Sequence, residues 1–164
     1  MLTLPEITRR EVTPYLALRA QVSLPFDDQL PAILDRLFAT VAEHGLTISG
    51  PLFFKHDLVV MPELEMEFGL PVDRLIDPRA ADIVSAELPA GRYAEITWFG
   101  RYDPLITVNA VLIGWAAHMG LTFDSWPDGR GERFGCRLEI YHNSPGEEPE
   151  PEKWQTTVAI RLKE

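Results

Sequence analysis

The chain has 164 residues, 46% of them hydrophobic, and a formal charge of −10 from 25 acidic and 15 basic side chains. A lone Cys136 excludes an intramolecular disulfide and any cysteine-based metal cluster, and scattered basic residues outnumbered by acids leave no footprint for nucleic acid. A core of this size suits one domain, and with no basic, apolar leader and no apolar run long enough to cross a bilayer the expectation is a cytoplasmic protein.

The first periodic segment is "PYLALRAQVS", where Leu16, Leu18, Ala20 and Val22 alternate with Tyr15, Ala17, Arg19 and Gln21. A period of two predicts a half-buried strand. From Asp28, residues Leu30, Ile33, Leu34, Leu37, Phe38 and Val41 follow helical spacing, with Pro31 in the first turn and Gly45 placed to cap the C-terminus, so a helix should end near His44. Next, "LFFKH" and "LEMEFGL" read as two strands separated by a turn near "MPE". The pattern then restarts. "GRYAEITWFG" is a strand with Ala94, Ile96 and Trp98 opposed to Tyr93, Glu95, Thr97 and Phe99. "DPLITVNAVLIGWAAHMG" predicts a helix with Asp103 as N-cap, Pro104 as first helical residue and Gly120 as its stop. "GRGERFG" lacks phosphate-loop spacing and reads as a flexible turn where a hairpin is expected, and "CRLEIYH" and "QTTVAIRL" close the chain as strands.

Laid side by side, "PYLALR" falls on "RYAEIT", "VAEHGLTISG" on "AAHMGLTFDS" and "LEMEFGLP" on "LEIYHNSP". The pattern predicts a duplicated strand-helix-strand-strand unit, over about 5–76 and 80–164, within a single domain spanning 1–164. Neither unit could bury its sheet alone, so the expected fold is α+β, with the copies paired about a pseudo-twofold axis around a central ligand cleft.

In "RLEIYH", Leu138 and Ile140 point to one side and Arg137, Glu139 and Tyr141 to the other. The same parity in "LEMEF" sends Glu65 and Glu67 away from Leu64, Met66 and Phe68. If these faces meet across the axis they form an acidic cleft; otherwise they are the solvent faces of ordinary strands. The aromatic supply includes Phe54, Tyr93, Trp98, Tyr102, Trp115, Tyr141 and Trp154. An acid among aromatics holds flat or cationic molecules by combining charge with cation–π attraction. Phe54, Tyr93 and Glu67 are therefore ligand-lining candidates beside Glu139 and Tyr141. Trp98 shares its strand face with Ala94 and Ile96 and is expected in the core, whereas Trp154 follows an acidic loop that either covers the cleft or closes one end of the sheet. Residues His44, His56, His118 and His142 have no metal-ligand spacing, no G-x-S-x-G elbow is present, and Cys136 faces the core beside Leu138. No metal and no cofactor is expected.

Gly91-x-Tyr93, "FGRYDPL", Trp115 and "RLEIY", together covering essentially the whole chain, resemble the GyrI-like small-molecule-binding family, related to effector-binding domains of MerR- and AraC-type multidrug-sensing regulators. The resemblance implies a cleft for bulky hydrophobic, aromatic or cationic compounds, with the pocket glutamate at Glu139, its aromatic neighbour at Tyr141 and the helix tryptophan at Trp115. The implied partner is a small molecule rather than nucleic acid or a membrane, and docking on gyrase rests on the family name alone. Some relatives hydrolyse cyclopropane-bearing natural products, which implies as an alternative a metal-free hydrolase with Glu139 as general base and Tyr141 as hydrogen-bond donor.

Overall fold

The computed structural model describes residues 1–164. The first unit comprises β2 (Thr13–Ser23), α1 (Leu30–Glu43), β3 (Phe53–Val60) and β4 (Glu63–Pro71). The second comprises β6 (Gly91–Phe99), α2 (Leu105–His118), β9 (Arg137–Tyr141) and β10 (Gln155–Arg161). Four further strands complete the sheet: β1 (Glu6–Arg10) and β5 (Ile83–Leu88), which escaped the sequence reading, and β7 (Ser125–Asp128) and β8 (Gly131–Phe134), which form a hairpin where one was expected. The segment expected as a flexible turn is thus part of that hairpin. Both helices end as predicted at glycines with positive φ, Gly45 at 62° and Gly120 at 71°, a conformation glycine adopts without steric cost. Helix α2 starts one residue later than expected, with Pro104 in the N-cap position and no side-chain cap.

The strands form one antiparallel sheet in the order β1-β6-β10-β9-β3-β4-β2-β5, with the β7–β8 hairpin joined to β3 through β8. Read outward from the central β9–β3 pair, each half runs second, third and first strand of its unit, which is the pseudo-twofold arrangement. Thus β9 holds the place of β3, and β10 that of β4. The sequence pairing of "LEMEFGLP" with "LEIYHNSP" matched β4 to β9 and is one strand out of step. Two amphipathic strands align equally well wherever their period-two patterns coincide, and the inserted β7–β8 hairpin hides the true spacing.

Each helix covers the outer strands of its own half. Leu37 and Val41 of α1 pack on Leu16, Leu18, Leu70 and Val72, and Leu105, Val108 and Leu112 of α2 on Ala94, Ile96, Val158 and Ile160. Trp98 packs against this second cluster. On the other face the sheet curls over a core of its own, where Tyr15, Ala17, Phe53, Tyr93, Leu138, Ile140 and Ala159 are buried together. The sheet is therefore covered on both sides, and the central β3–β9 floor is left open between the helices. No helix is long and apolar enough to cross a membrane.

Candidate functional site

The gap between α1 and α2 is a cavity of about 640 Å³, within the range of small-molecule sites. Its floor is Phe54, His56 and Val59 of β3 with Arg137, Glu139 and Tyr141 of β9. Its walls are Leu30 and Leu34 of α1 and Leu105, Ile106, Asn109, Ala110 and Ile113 of α2. Tyr102, Asp103, Asp27 and the 143–145 segment form the rim. Phe54 sits opposite Glu139 in the β3–β9 register, so strand pairing itself places an aromatic ring beside the carboxylate.

Glu139 is 8% exposed. The Tyr141 hydroxyl donates to its Oε1 at 3.3 Å and Asn109 Nδ2 donates to Oε2 at 3.3 Å. His56 Nε2 lies 3.7 Å from Oε1, but burial, reinforced by the charge of Arg137, pushes His56 down to about 3. The imidazole is neutral at physiological pH and does not cancel the carboxylate. Burial raises the Glu139 pKa above its ordinary value, while Arg137, Asn109 and Tyr141 pull against that rise. Arg137 lies with its guanidinium carbon 4.7 Å from the centre of the Phe134 ring, and its Nη2 donates to Asn109 Oδ1 at 3.0 Å. Around these groups the rings form a chain: Phe54 lies 4.6 Å from Tyr141, Tyr141 lies 5.5 Å from Tyr102, and Tyr102 stacks on Trp154 at 4.9 Å.

Of the residues singled out from the sequence, Phe54, Glu139 and Tyr141 line the cavity; Glu67, Tyr93 and Trp115 do not. Arg137, Glu139 and Tyr141 share one face, away from Leu138 and Ile140. Glu67 lies on the opposite side of the sheet, so the two acidic strands do not meet in one cleft. It accepts from the Tyr15 hydroxyl at 2.6 Å and from Lys55 Nζ at 3.0 Å, and Lys55 also pairs with Asp57. Tyr93 is buried on that same face with its hydroxyl donating to the Pro89 carbonyl at 2.6 Å. Trp115 is half-buried against the core beneath α2. Trp154 is tied to the acidic loop by donation from Nε1 to the Glu148 carbonyl at 2.8 Å.

His56 and Asn109 were not among the candidates. Asn109 carried a readable sign: it is a polar residue on the buried stripe of Leu105, Val108, Leu112 and Ala116 in a helix with no Asp, Glu, Lys or Arg. His56 carried one too: it stands two residues after Phe54 in "LFFKH", ahead of the β-bulge between His56 and Leu58, so plain alternation sets both on one face.

No protein-family model and no curated protein matches the sequence. Among solved structures, the EcmrR C-terminal domain superposes with a TM-score of 0.75 at 14% identity, over 98% of this chain and 98% of that one. EcmrR in its DNA complex gives 0.80 at 16% identity over 98% of this chain, which spans 57% of that longer chain. A hydrolase encoded by lin2189 from Listeria innocua gives 0.64 at 12% identity, over 97% of this chain and 91% of that chain. SAV2435 bound to tetraphenylphosphonium gives 0.57 at 9% identity, over 98% and 94%. The chain has the α+β fold of these GyrI-like domains.

Proposed function

We propose that the chain binds a bulky hydrophobic compound, aromatic or cationic, between its two helices and over the β3–β9 floor. The observation that carries this reading is Glu139: a buried carboxylate with no cation within salt-bridge distance other than a neutral His56, on the floor of a largely apolar, aromatic-walled cavity. Burying such a group without a counter-ion is costly, and a cationic ligand would offset that cost while the rings contribute cation–π attraction. The tetraphenylphosphonium bound by SAV2435, a protein of the same fold, is a molecule of this type.

Tetraphenylphosphonium and tetraphenylborate are nearly the same size and shape with opposite charge, so titrating both separates charge from hydrophobicity. The phosphonium should bind more tightly, and Glu139→Gln, which keeps the size and deletes the charge, should remove roughly 1.5–3 kcal/mol of that preference. Equal binding of the two ions by the native protein would sink the proposal.

A second reading is favoured by the Tyr141 hydroxyl at 3.3 Å from a carboxylate whose pKa burial raises, and by the fold shared with a Listeria hydrolase. Glu139 would take a proton from water as it attacks a strained cyclopropane carbon. The breaking C–C bond would deliver its electron pair to a conjugated carbonyl, to which Tyr141 donates a hydrogen bond. Such a base contributes about 10²–10⁴-fold, enough for an activated ring and a detoxifying role. Mass spectrometry of a cyclopropane-bearing alkylating compound incubated with native protein, Glu139→Gln and Tyr141→Phe tests this. A water adduct dependent on Glu139 supports catalysis; no adduct leaves binding alone.

A further inference from the structure

Arg137 and Glu139 stand two residues apart on one face of β9, and Arg137 is long enough to reach the carboxylate, yet the two make no ion pair. Asn109 stands between them. Its Oδ1 accepts from Arg137 Nη2 at 3.0 Å, and its Nδ2 donates both to Glu139 Oε2 at 3.3 Å and to the Leu105 carbonyl one turn back at 2.9 Å. This network admits one amide orientation. Turned over, the amide would set its NH2 against the guanidinium and its oxygen against the carboxylate, and both contacts would repel. Asn109 is 9% exposed in the middle of an apolar helix, where asparagine has a poor propensity and no packing advantage over leucine.

We infer that Asn109 is a positioning residue that holds Arg137 away from Glu139 and so keeps the carboxylate free for a cationic ligand. This deepens the binding reading above and rests on it. The groups facing Glu139 are His56 from β3, Asn109 from α2, and Arg137 and Tyr141 from β9. Arg137 is the one standing cation among them. Without Asn109 its guanidinium has no partner on that side, and Glu139 is the carboxylate that acts on it most strongly, ahead of Glu132. A direct Arg137–Glu139 pair would cancel the charge that the ligand uses.

The experiment measures the ratio of tetraphenylphosphonium to tetraphenylborate affinity at mildly alkaline pH in four proteins: native, Asn109→Ala, Arg137→Met, and the double variant. Asn109→Ala should lower the ratio about tenfold or more, as expected when a charged partner is internally neutralised. The double variant should restore it, because no guanidinium remains to collapse onto Glu139. A rise on Arg137→Met that is larger in the Asn109→Ala background than in the native one is an outcome that a merely structural role for Asn109 does not produce. An Asn109→Ala protein that keeps the native ratio, or a double variant that stays low, overturns the inference. Should Asn109→Ala fail to fold, Asn109→Leu fills the space without hydrogen bonding, and Arg137→Met alone, which takes a cation off the floor, must raise the native ratio; a fall there also overturns it. A native protein with no preference for the phosphonium instead defeats the underlying binding proposal, so the two failures are separable.

Discussion

The sheet carries a buried polar cluster on each face, and they are built on opposite plans. On the curled face, Glu67 receives Tyr15 at 2.6 Å and Lys55 at 3.0 Å, and Lys55 also pairs with Asp57. On the helix face, Glu139 receives only two bonds of 3.3 Å and faces an open cavity. The first cluster spends its hydrogen-bonding capacity internally, as a closed structural unit does. In the second, a carboxylate is buried but incompletely used, and its neighbours hold charge away from it. Burial alone does not set the two carboxylates apart. What distinguishes Glu139 is burial together with missing compensation beside an empty volume.

The widest predicted gap between the two clusters is in stability. Lys55→Met leaves Glu67 and Asp57 buried without their cation and should destabilise the fold by about 3–5 kcal/mol, as loss of one partner of a buried pair does. Glu139→Gln should leave stability equal or higher. The folded pKa of Glu139 is raised, so its contribution to stability is present below the unfolded pKa and lost as pH rises through the folded one; above the unfolded pKa that rise is a net cost that glutamine removes. Urea denaturation of the two variants checks both halves. A Glu139→Gln protein as unstable as Lys55→Met would make the clusters equivalent and erase the distinction.

A smaller effect appears in pH dependence. Burial and the hydrogen bond with Glu67 push Asp57 up to about 7 from an ordinary value of 3.8. Burial alone would raise Glu67 too, but its bonds with Asp57, Lys55 and Tyr15 bring it down to about 2. The pair therefore shares one proton near neutrality, with Glu67 the ionised member facing Lys55. For Asp57, the raised folded pKa means that stability present below about 3.8 is lost as pH rises through about 7. Glu67 acts in the reverse sense, stabilising above its unfolded pKa and losing that as pH falls toward about 2. Thermal melts of native protein and Asp57→Asn from pH 4 to 8 should converge at low pH. The native protein should lose more stability on the way up, and parallel curves would show that Asp57 holds no such proton.

The same two faces show what the sequence made legible. Strand parity was readable in "RLEIYH", and it keeps Glu139 with Tyr141 and apart from Leu138. The side that the helices cover was not readable, because both faces of the sheet are buried. In β4 the apolar Leu64, Met66 and Phe68 face the helices, whereas in β9 it is Glu139 that does so. An alternation rule that assigns apolar residues to the helix side places Glu67 correctly and inverts Glu139. The helices were plain because proline, spacing and terminal glycines agreed. Strands β1 and β5 were missed because "EITRR" and "IVSAEL" are half-exposed edge strands with weak alternation. Asn109, by contrast, was visible as a lone polar position on an apolar stripe, and only its partner on β9 required the fold.

The smallest predicted effect separates shape from charge within the open cluster. Trp154 does not line the cavity; it stacks on Tyr102 at 24° between planes, and Tyr102 in turn meets Tyr141 edge-on at 86°. Trp154 also anchors the acidic loop through the Glu148 carbonyl. Removing it by Trp154→Ala forfeits a stacked pair of about 0.5–1.5 kcal/mol and loosens the rim without altering any charged group near the floor. Both lipophilic ions should then dissociate several-fold faster in stopped-flow displacement, by similar factors, so their affinity ratio stays native. Glu139→Gln should do the opposite, changing the ratio and affecting the borate little. If Trp154→Ala shifts the ratio as strongly as Glu139→Gln, the negative loop it anchors contributes to ion choice, and selectivity cannot be assigned to the floor carboxylate alone.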